Sequence, residues 1–405
     1  MMNNNDEFLS RMKLFDNTLP LDKIEKARVL MVGCGAVGTS ALPILVNVGI
    51  KNLVMIDIDT FEKSNFAKTS MVIKFPDDYG KPKAETVAKY GQAAMLDGGS
   101  CIGVTVNVFD LGYEFIKQFD YVISVLDNQR AKYYLNQLCI QADVPLLEGG
   151  TNGLLAIQRT YDHKNGCFGC TGEYKYETVG TGCGARYKVD VESGSIPTCQ
   201  ISSTIAAALI VNELVKLICN FNPKTNIVNK FYGDYGTFFS NPIYKKEDCP
   251  CCSKLTKKVE DITYIPGNIE KMTVKDTLSY INELLHDNCE ICLTDDVLDM
   301  VYVLEDVCPA CGKKKHINKS KFRVTKKDLF CEECLSKSNA PAEQTGAVTI
   351  SSVDMNSQPE ILNLSMKDIG MRYGGTFMVL SDNGSQVFAF EDDIQTLLGK
   401  EFIRR

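Results

Sequence analysis

Residues 28–59, RVLMVGCGAVGTSALPILVNVGIKNLVMIDID, decide how the chain folds. Val29–Val32 is an apolar run of strand length. GCGAVG follows it with Gly33, Gly35 and Gly38, and the stretch from Thr39 to Val48 can form a helix whose first N–H groups face a phosphate. A second apolar run, Leu53–Ile56, ends at Asp57, 19 residues past Gly38, where a carboxylate can accept from ribose hydroxyls. Strand, glycine loop, helix, strand and acid in that order open a doubly wound, Rossmann-like α/β domain. The loop alone does not choose between a dehydrogenase dinucleotide and a nucleoside triphosphate.

The charged residues that follow favour the triphosphate. Asp59 and Asn65 stand in IDIDTFEKSN, Lys68 three residues on, Lys81 and Lys83 in GKPK, and Asp127 in VISVLDNQRAK. Backbone N–H groups suffice to hold a dinucleotide pyrophosphate, whereas a reacting triphosphate needs cations where charge develops and a carboxylate for its Mg²⁺. Nucleotidyl transfer is therefore expected ahead of hydride transfer. A solvated Lys/Asp surface is the bland alternative for any one of these residues.

The cysteines carry a separate signal. The chain has 17 Cys and 3 His, a polar start in MMNNNDEFLS, and no uninterrupted apolar run approaching the roughly 18–20 residues of a membrane span. A cytoplasmic chain with reduced thiols is expected, so paired CxxC spacings read as zinc sites rather than disulfides. One site pairs Cys167 and Cys170 with Cys249 and Cys252; a second pairs Cys308 and Cys311 with Cys331 and Cys334, with 19 residues between its halves. Four thiolates leave no open position for water, so both should be structural. Cys251 can replace a neighbour as ligand. Cys289 and Cys292 fall in a strand-like segment where positions three apart face opposite ways, which favours separate packing roles. Cys199, in SIPTCQISSTIAAALIVNELVKLI, lies just before an apolar-periodic helix whose N-terminal partial charge favours a thiolate.

In motif order and spacing the chain resembles the ubiquitin-like-modifier-activating enzymes (E1), above all the catalytic subunits of the small heterodimeric E1s, and their relatives, the thiamin and molybdopterin adenylyltransferases. GCGAVG, IDIDTFEKSN, YGKPKAET, VLDNQRAK, GCFGCTGEY, IPTCQISS and DCPCCSKL carry the resemblance, with a weaker match in LNLSMKDIGMRYGGTFMVLSDNGSQVFAFED. The resemblance implies that Asp57 binds the ATP ribose, Asp127 binds Mg²⁺, and Asn65 and Lys83 contact phosphates. Lys68 stands where most members carry Arg; it keeps the charge but loses the planar fork. Arg11 sits 22 residues before Gly33, where homodimeric members have an arginine that reaches the partner subunit's ATP. Cys199 matches the thioester cysteine, and Cys183 in GTGCGARY is the second candidate, since sulfur-carrier relatives can use that loop.

Organisation follows. Residues 1–160 read as the nucleotide-binding part, 161–254 as the cysteine and zinc part with a mobile crossover over 176–196, and 261–405 as an α+β, ubiquitin-fold-like E2-recruiting domain. The latter has helix and strand signals enough for a core of its own, a zinc module at about 306–336, and a strand pair turning at NG. The net charge of −7 argues against nucleic acid as a partner overall, although Lys313–Lys327 holds eight Lys/Arg. The expected function is ATP-dependent adenylation of a ubiquitin-like protein, thioester formation on Cys199 and transfer to an E2, by a homodimer or heterodimer. A sulfur-carrier adenylyltransferase is the alternative, with a non-enzymatic heterodimer subunit and a dehydrogenase behind it.

Overall fold

The computed structural model describes residues 9–70, 72–172, 181–182, 184–185, 197–249, 251–253, 261–293, 302–308, 310–320, 324, 328, 331–335 and 348–403. Cys183 and most of the expected crossover at 176–196 lie outside the described residues.

The first sheet is built as the sequence suggests and then runs further. β1 (Arg28–Val32), α1 (Ala36–Asn47), β2 (Asn52–Ile56), α2 (Lys83–Ala94), β3 (Ser100–Val104), β4 (Tyr121–Ser124), α3 (Gln129–Ala142) and β5 (Leu146–Asn152) alternate. The strands run parallel in the spatial order β3-β2-β1-β4-β5. Val29–Val32 and Leu53–Ile56 are buried on both faces, which is why they read as unbroken apolar runs. The chain order reverses between β1 and β4, and a doubly wound sheet opens its binding crevice at the carboxyl ends of such a pair. β6 (Leu155–Tyr161), β7 (Ile227–Tyr232) and β8 (Thr237–Pro242) extend the sheet antiparallel from β5. The sheet thus crosses residue 160. α4 (Gln200–Cys219), which follows Cys199, packs on α1 and on β5.

α4 is long and apolar enough to cross a membrane, but Ser202, Ala206, Ile210 and Leu214 are buried against the sheet layer, which accounts for its composition.

The C-terminal half holds β9 (Ile262–Ile265), α5 (Val274–Leu285), β10 (Glu290–Cys292), β11 (Tyr302–Val307), β12 (Lys314–Ser320), β13 (Val348–Ile350), β14 (Ser352–Val353), β15 (Thr376–Ser381), β16 (Gly384–Phe390) and α6 (Asp393–Leu398). A mixed five-stranded sheet runs β9-β16-β15-β10-β14, and a separate three-stranded sheet, β12-β11-β13, carries the second cysteine group. Thr273 and Asp276 cap α5 reciprocally, and Val274, Leu278 and Ile281 form its buried stripe. The β15–β16 turn falls on Asp382 and Asn383, one residue before the NG pair, because Gly384 at φ 120° already pairs with Ser381.

The two halves share one core, unlike the independent C-terminal core expected from sequence. Leu111, Phe115 and Phe119 of the first half cluster with Ile265, Phe377, Phe390 and Phe402 of the second. Phe402 lies 5.8 Å from the Phe119 ring, under the Arg28 guanidinium at 4.0 Å, and its carbonyl accepts from Arg28. Phe402→Ala should therefore destabilise the whole chain by about 3–5 kcal/mol, the usual cost of emptying a buried phenylalanine site. Urea unfolding followed through both halves measures this; a loss below about 1 kcal/mol would mean that the C-terminal turn is not part of the shared core.

Candidate functional site: a nucleotide-sized cavity beside Cys199

At Gly33 and Gly38 the glycine loop is held by contact too close for any side chain. Gly33 takes φ 107°, and a Cβ there would meet Val125 O at 2.9 Å; a Cβ on Gly38 would meet Gly33 O at 2.2 Å. Nothing lies within 4 Å of a Cβ on Gly35, which faces the open cavity. Asp57 secures the turn from the next strand: Oδ2 accepts from Cys34 N at 2.6 Å and Oδ1 from Asp59 N at 2.9 Å. Burial pushes the Asp57 pKa up, against those two N–H groups and Lys83, which pull it down.

A cavity of about 400 Å³ opens above the carboxyl ends of β1 and β4. Gly33, Gly35, Asp57, Asp59, Asn65, Lys68, Lys83 and Asp127 all line it. Gly38 packs beneath the loop instead. Lys83 Nζ donates to Asp59 Oδ2 at 2.9 Å. Burial works against the Lys83 ammonium, but the Asp59 hydrogen bond and the charges of Asp57, Asp59 and Asp127 outweigh it and raise its pKa. Asn65 accepts from Glu62 N at 2.9 Å, which shapes the turn that presents Lys68. Lys81 stays outside the cavity and pairs with Asp78 at 3.5 Å, and Arg11 is exposed and away from it.

Sequence reading missed three parts of this site. The wall opposite the loop is Val106, Asn107, Val108 and Phe109, which in sequence looks like the tail of β3. Thr151 and Thr198 line the far end, their hydroxyls 3.5 Å apart. The third is Lys132, five residues past Asp127 in a motif read only for its acid. Its Nζ meets Glu148 Oε1 at 2.7 Å; Glu148 also accepts from Arg159 at 3.1 Å and Tyr161 at 3.0 Å. Lys132 on α3 meets Glu148 on β5, and Arg159 and Tyr161 come from the adjoining strand β6, so the cluster forms only where the helix packs on this strand pair.

Cys199 follows Thr198 directly and caps α4, whose N-terminus lies beside this cavity. Its Sγ is 3.4 Å from Ser202 Oγ. Hydrogen bonds from the Ser202 hydroxyl and N–H lower its pKa, against a small burial effect and with help from Ile201 N–H. Among the described cysteines outside the two clusters, Cys34, Cys101, Cys139, Cys219, Cys251, Cys289 and Cys292 are shifted the other way. With its amide turned to satisfy all its neighbours, Gln200 donates to Lys68 O at 2.5 Å and Thr69 O at 3.0 Å, tying the start of α4 to the Lys68 turn.

The two cysteine groups converge as their spacing implies. Thiolates about 2.3 Å from a tetrahedral zinc lie about 3.8 Å from one another. Cys167–Cys249, Cys170–Cys252 and Cys167–Cys170 are 3.6, 3.5 and 3.9 Å apart, and Cys308–Cys334 and Cys311–Cys331 both 3.7 Å, so both groups fit zinc. Cys251 is fully buried beside the first group; a Cβ on Gly169 would meet both its sulfur and that of Cys249 at 3.0 Å. Cys289 and Cys292 are buried apart from either group.

The ThiF family model matches residues 9–251, and the chain belongs to that family. SUMO-activating enzyme subunit 2 of Dictyostelium discoideum is 36% identical over 37% of this chain and 22% of its own length. SAMP-activating enzyme E1 of Haloferax volcanii is 25% identical over 60% of this chain and 87% of its own. An adenylyltransferase and sulfurtransferase of Culex quinquefasciatus is 26% identical over 63% and 56%. The chain thus spans about a fifth of the first of these relatives. The crystal structure of E. coli MccB with MccA-N7isoASN superposes with a TM-score of 0.51 at 22% identity, covering 62% of this chain and 76% of that one, a likeness of fold.

Two expectations follow from this geometry. The Glu148 carboxyl is opposed by burial but held down to about 2 by Lys132 and Arg159. Its stabilising effect is complete above the unfolded carboxyl pKa of about 4.3 and is lost as pH falls toward 2. Glu148→Gln, which removes the carboxylate charge shared by the buried Lys132 and Arg159, should cost about 3–5 kcal/mol at pH 7 and flatten the acid limb of a stability–pH curve; an unchanged acid limb would exclude this role. Metal analysis of the purified chain should find zinc in both groups, and Cys308→Ser should remove one ion while leaving the ion at Cys167. Loss of both, or of neither, would contradict two independent sites.

Proposed function

We propose that this member of the ThiF family is an E1-like enzyme that adenylates the C-terminal carboxylate of a ubiquitin-like protein and captures the acyl group on Cys199. The observation that carries the proposal is the placing of a thiol of lowered pKa one residue from Thr198, in the lining of a cavity that also gathers Asp57, Lys83 and Asp127.

In this reading Asp57 accepts from the ribose, and the α1 N-terminus with Lys83, Asn65 and Lys68 holds the phosphates. Asp127 is suited to a Mg²⁺ ion, which when bound offsets the charge that builds on pyrophosphate. A carboxylate oxygen of the modifier attacks the α-phosphorus, the bond to the bridging oxygen of the β-phosphate breaks, and pyrophosphate leaves. The Cys199 thiolate then attacks the acyl carbon, the acyl–phosphate bond breaks and AMP leaves. Ser202 keeps the sulfur oriented for that attack. A second thiol exchange passes the acyl group to an E2-like cysteine. The C-terminal half, a mixed sheet with α5 across it, is ubiquitin-fold-like and offers the E2 dock, with the β12-β11-β13 zinc module beside it. Arg11, exposed on the N-terminal segment, suits an active dimer in which it reaches a partner's nucleotide. Support comes from the relatives named for activating SUMO and SAMP.

A sulfur-carrier adenylyltransferase shares every step up to the adenylate. The Culex relative favours that reading, and Cys183, its nucleophile candidate, lies outside the described residues.

Lys83→Ala or Asp127→Ala should abolish modifier-dependent ATP–pyrophosphate exchange in a folded protein. Cys199→Ala should keep the exchange and lose the thiol-sensitive modifier adduct on a non-reducing gel. Full exchange in Asp127→Ala would sink the assignment of the cavity. An adduct lost in Cys183→Ala but kept in Cys199→Ala would move the nucleophile.

A further inference from the structure

The wall of the nucleotide cavity is braced from behind by the C-terminal half. Phe109, which lines the cavity, has its carbonyl accepting from Arg372 Nε at 3.2 Å. Arg372 is 4% exposed, and its guanidinium lies 5.4 Å from the Tyr134 ring centroid, while Tyr134 packs on Phe109 at 5.2 Å between centroids. Tyr134 belongs to α3, the helix that begins two residues after Asp127. One buried arginine therefore touches both segments that flank the cavity on that side.

Backbone bonds continue the brace. Tyr373 N donates to Asp110 O at 2.8 Å, Gly112 N to Tyr373 O at 2.8 Å, and Glu114 N to Gly374 O at 3.0 Å. The fit is close: a Cβ on Gly112 would sit 2.3 Å from Gly374 O, and a Cβ on Gly374, at φ 64°, would sit 2.6 Å from Phe115 N. Asp393, fully buried on α6, accepts from Ile269 N at 2.8 Å and Gly374 N at 3.4 Å, anchoring the strap to its own domain.

We propose that residues 372–375 are a positioning strap for the nucleotide cavity, with Arg372 as its positioning residue, so that the C-terminal half helps to set ATP affinity as well as receiving a partner. This rests on the reading of the cavity as an ATP site. Val106, Val108 and Phe109 form an apolar wall; a wall released from its brace loses its packing against a base without losing the phosphate-binding lysines on the opposite side. The effect falls on binding rather than on the chemical step.

The test uses the full chain. Arg372→Ala, Arg372→Gln and, as a control on the exposed face of β15, Met378→Ala are titrated with MgATP and assayed for pyrophosphate exchange. Arg372→Ala should weaken ATP binding and raise the ATP KM about tenfold, the scale of one hydrogen bond from a charged donor. The kcat should stay within about threefold and the modifier KM unchanged, because the strap touches neither the phosphate-binding lysines nor Cys199. Arg372→Gln, closer in size, should show the same split more weakly and serves if the alanine variant does not fold; Met378→Ala should match the parent. Equal ATP affinity in folded parent and Arg372 variants would overturn the proposal alone. Uniform losses in every parameter with a lowered thermal midpoint would reduce Arg372 to a packing residue and overturn it too. A parent chain that binds no ATP would overturn the reading of the cavity itself.

Discussion

Asp57 accepts from two backbone N–H groups at once, and most of the site depends on that pairing. Without it the turn through Cys34 would leave a buried donor unpaired next to a glycine loop that has no room to relax: Gly38 sits under Gly33 at a distance no Cβ permits. The same carboxylate, half-buried and one residue beyond β2, also orients the 57–59 turn that sets Asp59 against Lys83. A single acidic side chain thus fixes the floor of the cavity and aligns the cation on its rim. Lys83, paired to Asp59 on the cavity edge, can exchange that partner for a phosphate oxygen with little change of charge environment.

Around this floor the chain places its chemistry by linking distant segments. α3 carries Asp127 just before its start, Lys132 in its first turns, Tyr134 against the Phe109 wall, and Asn136, whose Oδ1 accepts from Phe168 N in the first cysteine knuckle at 3.0 Å. One helix therefore spans from the cavity to the first cysteine group. α4 brings Cys199 to the same cavity from the other side, with Gln200 bridging to the Lys68 turn. The zinc-fitting groups join short elements, with Cys170 in the four-residue helix Phe168–Thr171 and Cys334 in Glu332–Leu335, and the β12-β11-β13 module is a small sheet whose hydrophobic content alone would be thin.

How much of this the sequence shows varies with how local the signal is. Gly33, Gly35, Asp57, Asp59, Asn65, Lys68, Lys83 and Asp127 are legible because each stands in a short motif, and all of them line one cavity. The cysteine pairs are legible because metal geometry imposes a spacing of its own. The 106–109 wall, the Lys132–Glu148–Arg159 cluster and the Arg372 strap are not: the wall is four ordinary consecutive residues whose role depends on what they face, and the other two join residues 11 to 263 positions apart whose types are ordinary taken singly. Lys81 shows the opposite error: a cation in the right motif whose side chain turns away to Asp78. The shared core of the two halves was equally hidden, since amphipathic patterns reveal which face is buried and not against what.

The central claim is that the cavity holds a magnesium nucleoside triphosphate rather than a dinucleotide. Titration of the intact chain with ATP, in the presence and absence of Mg²⁺, and with NAD measures it directly. Saturable ATP binding that strengthens with Mg²⁺, is weakened in Asp127→Asn, and exceeds NAD binding is the predicted result. NAD binding in preference to ATP, indifferent to Mg²⁺ and to Asp127, would contradict it.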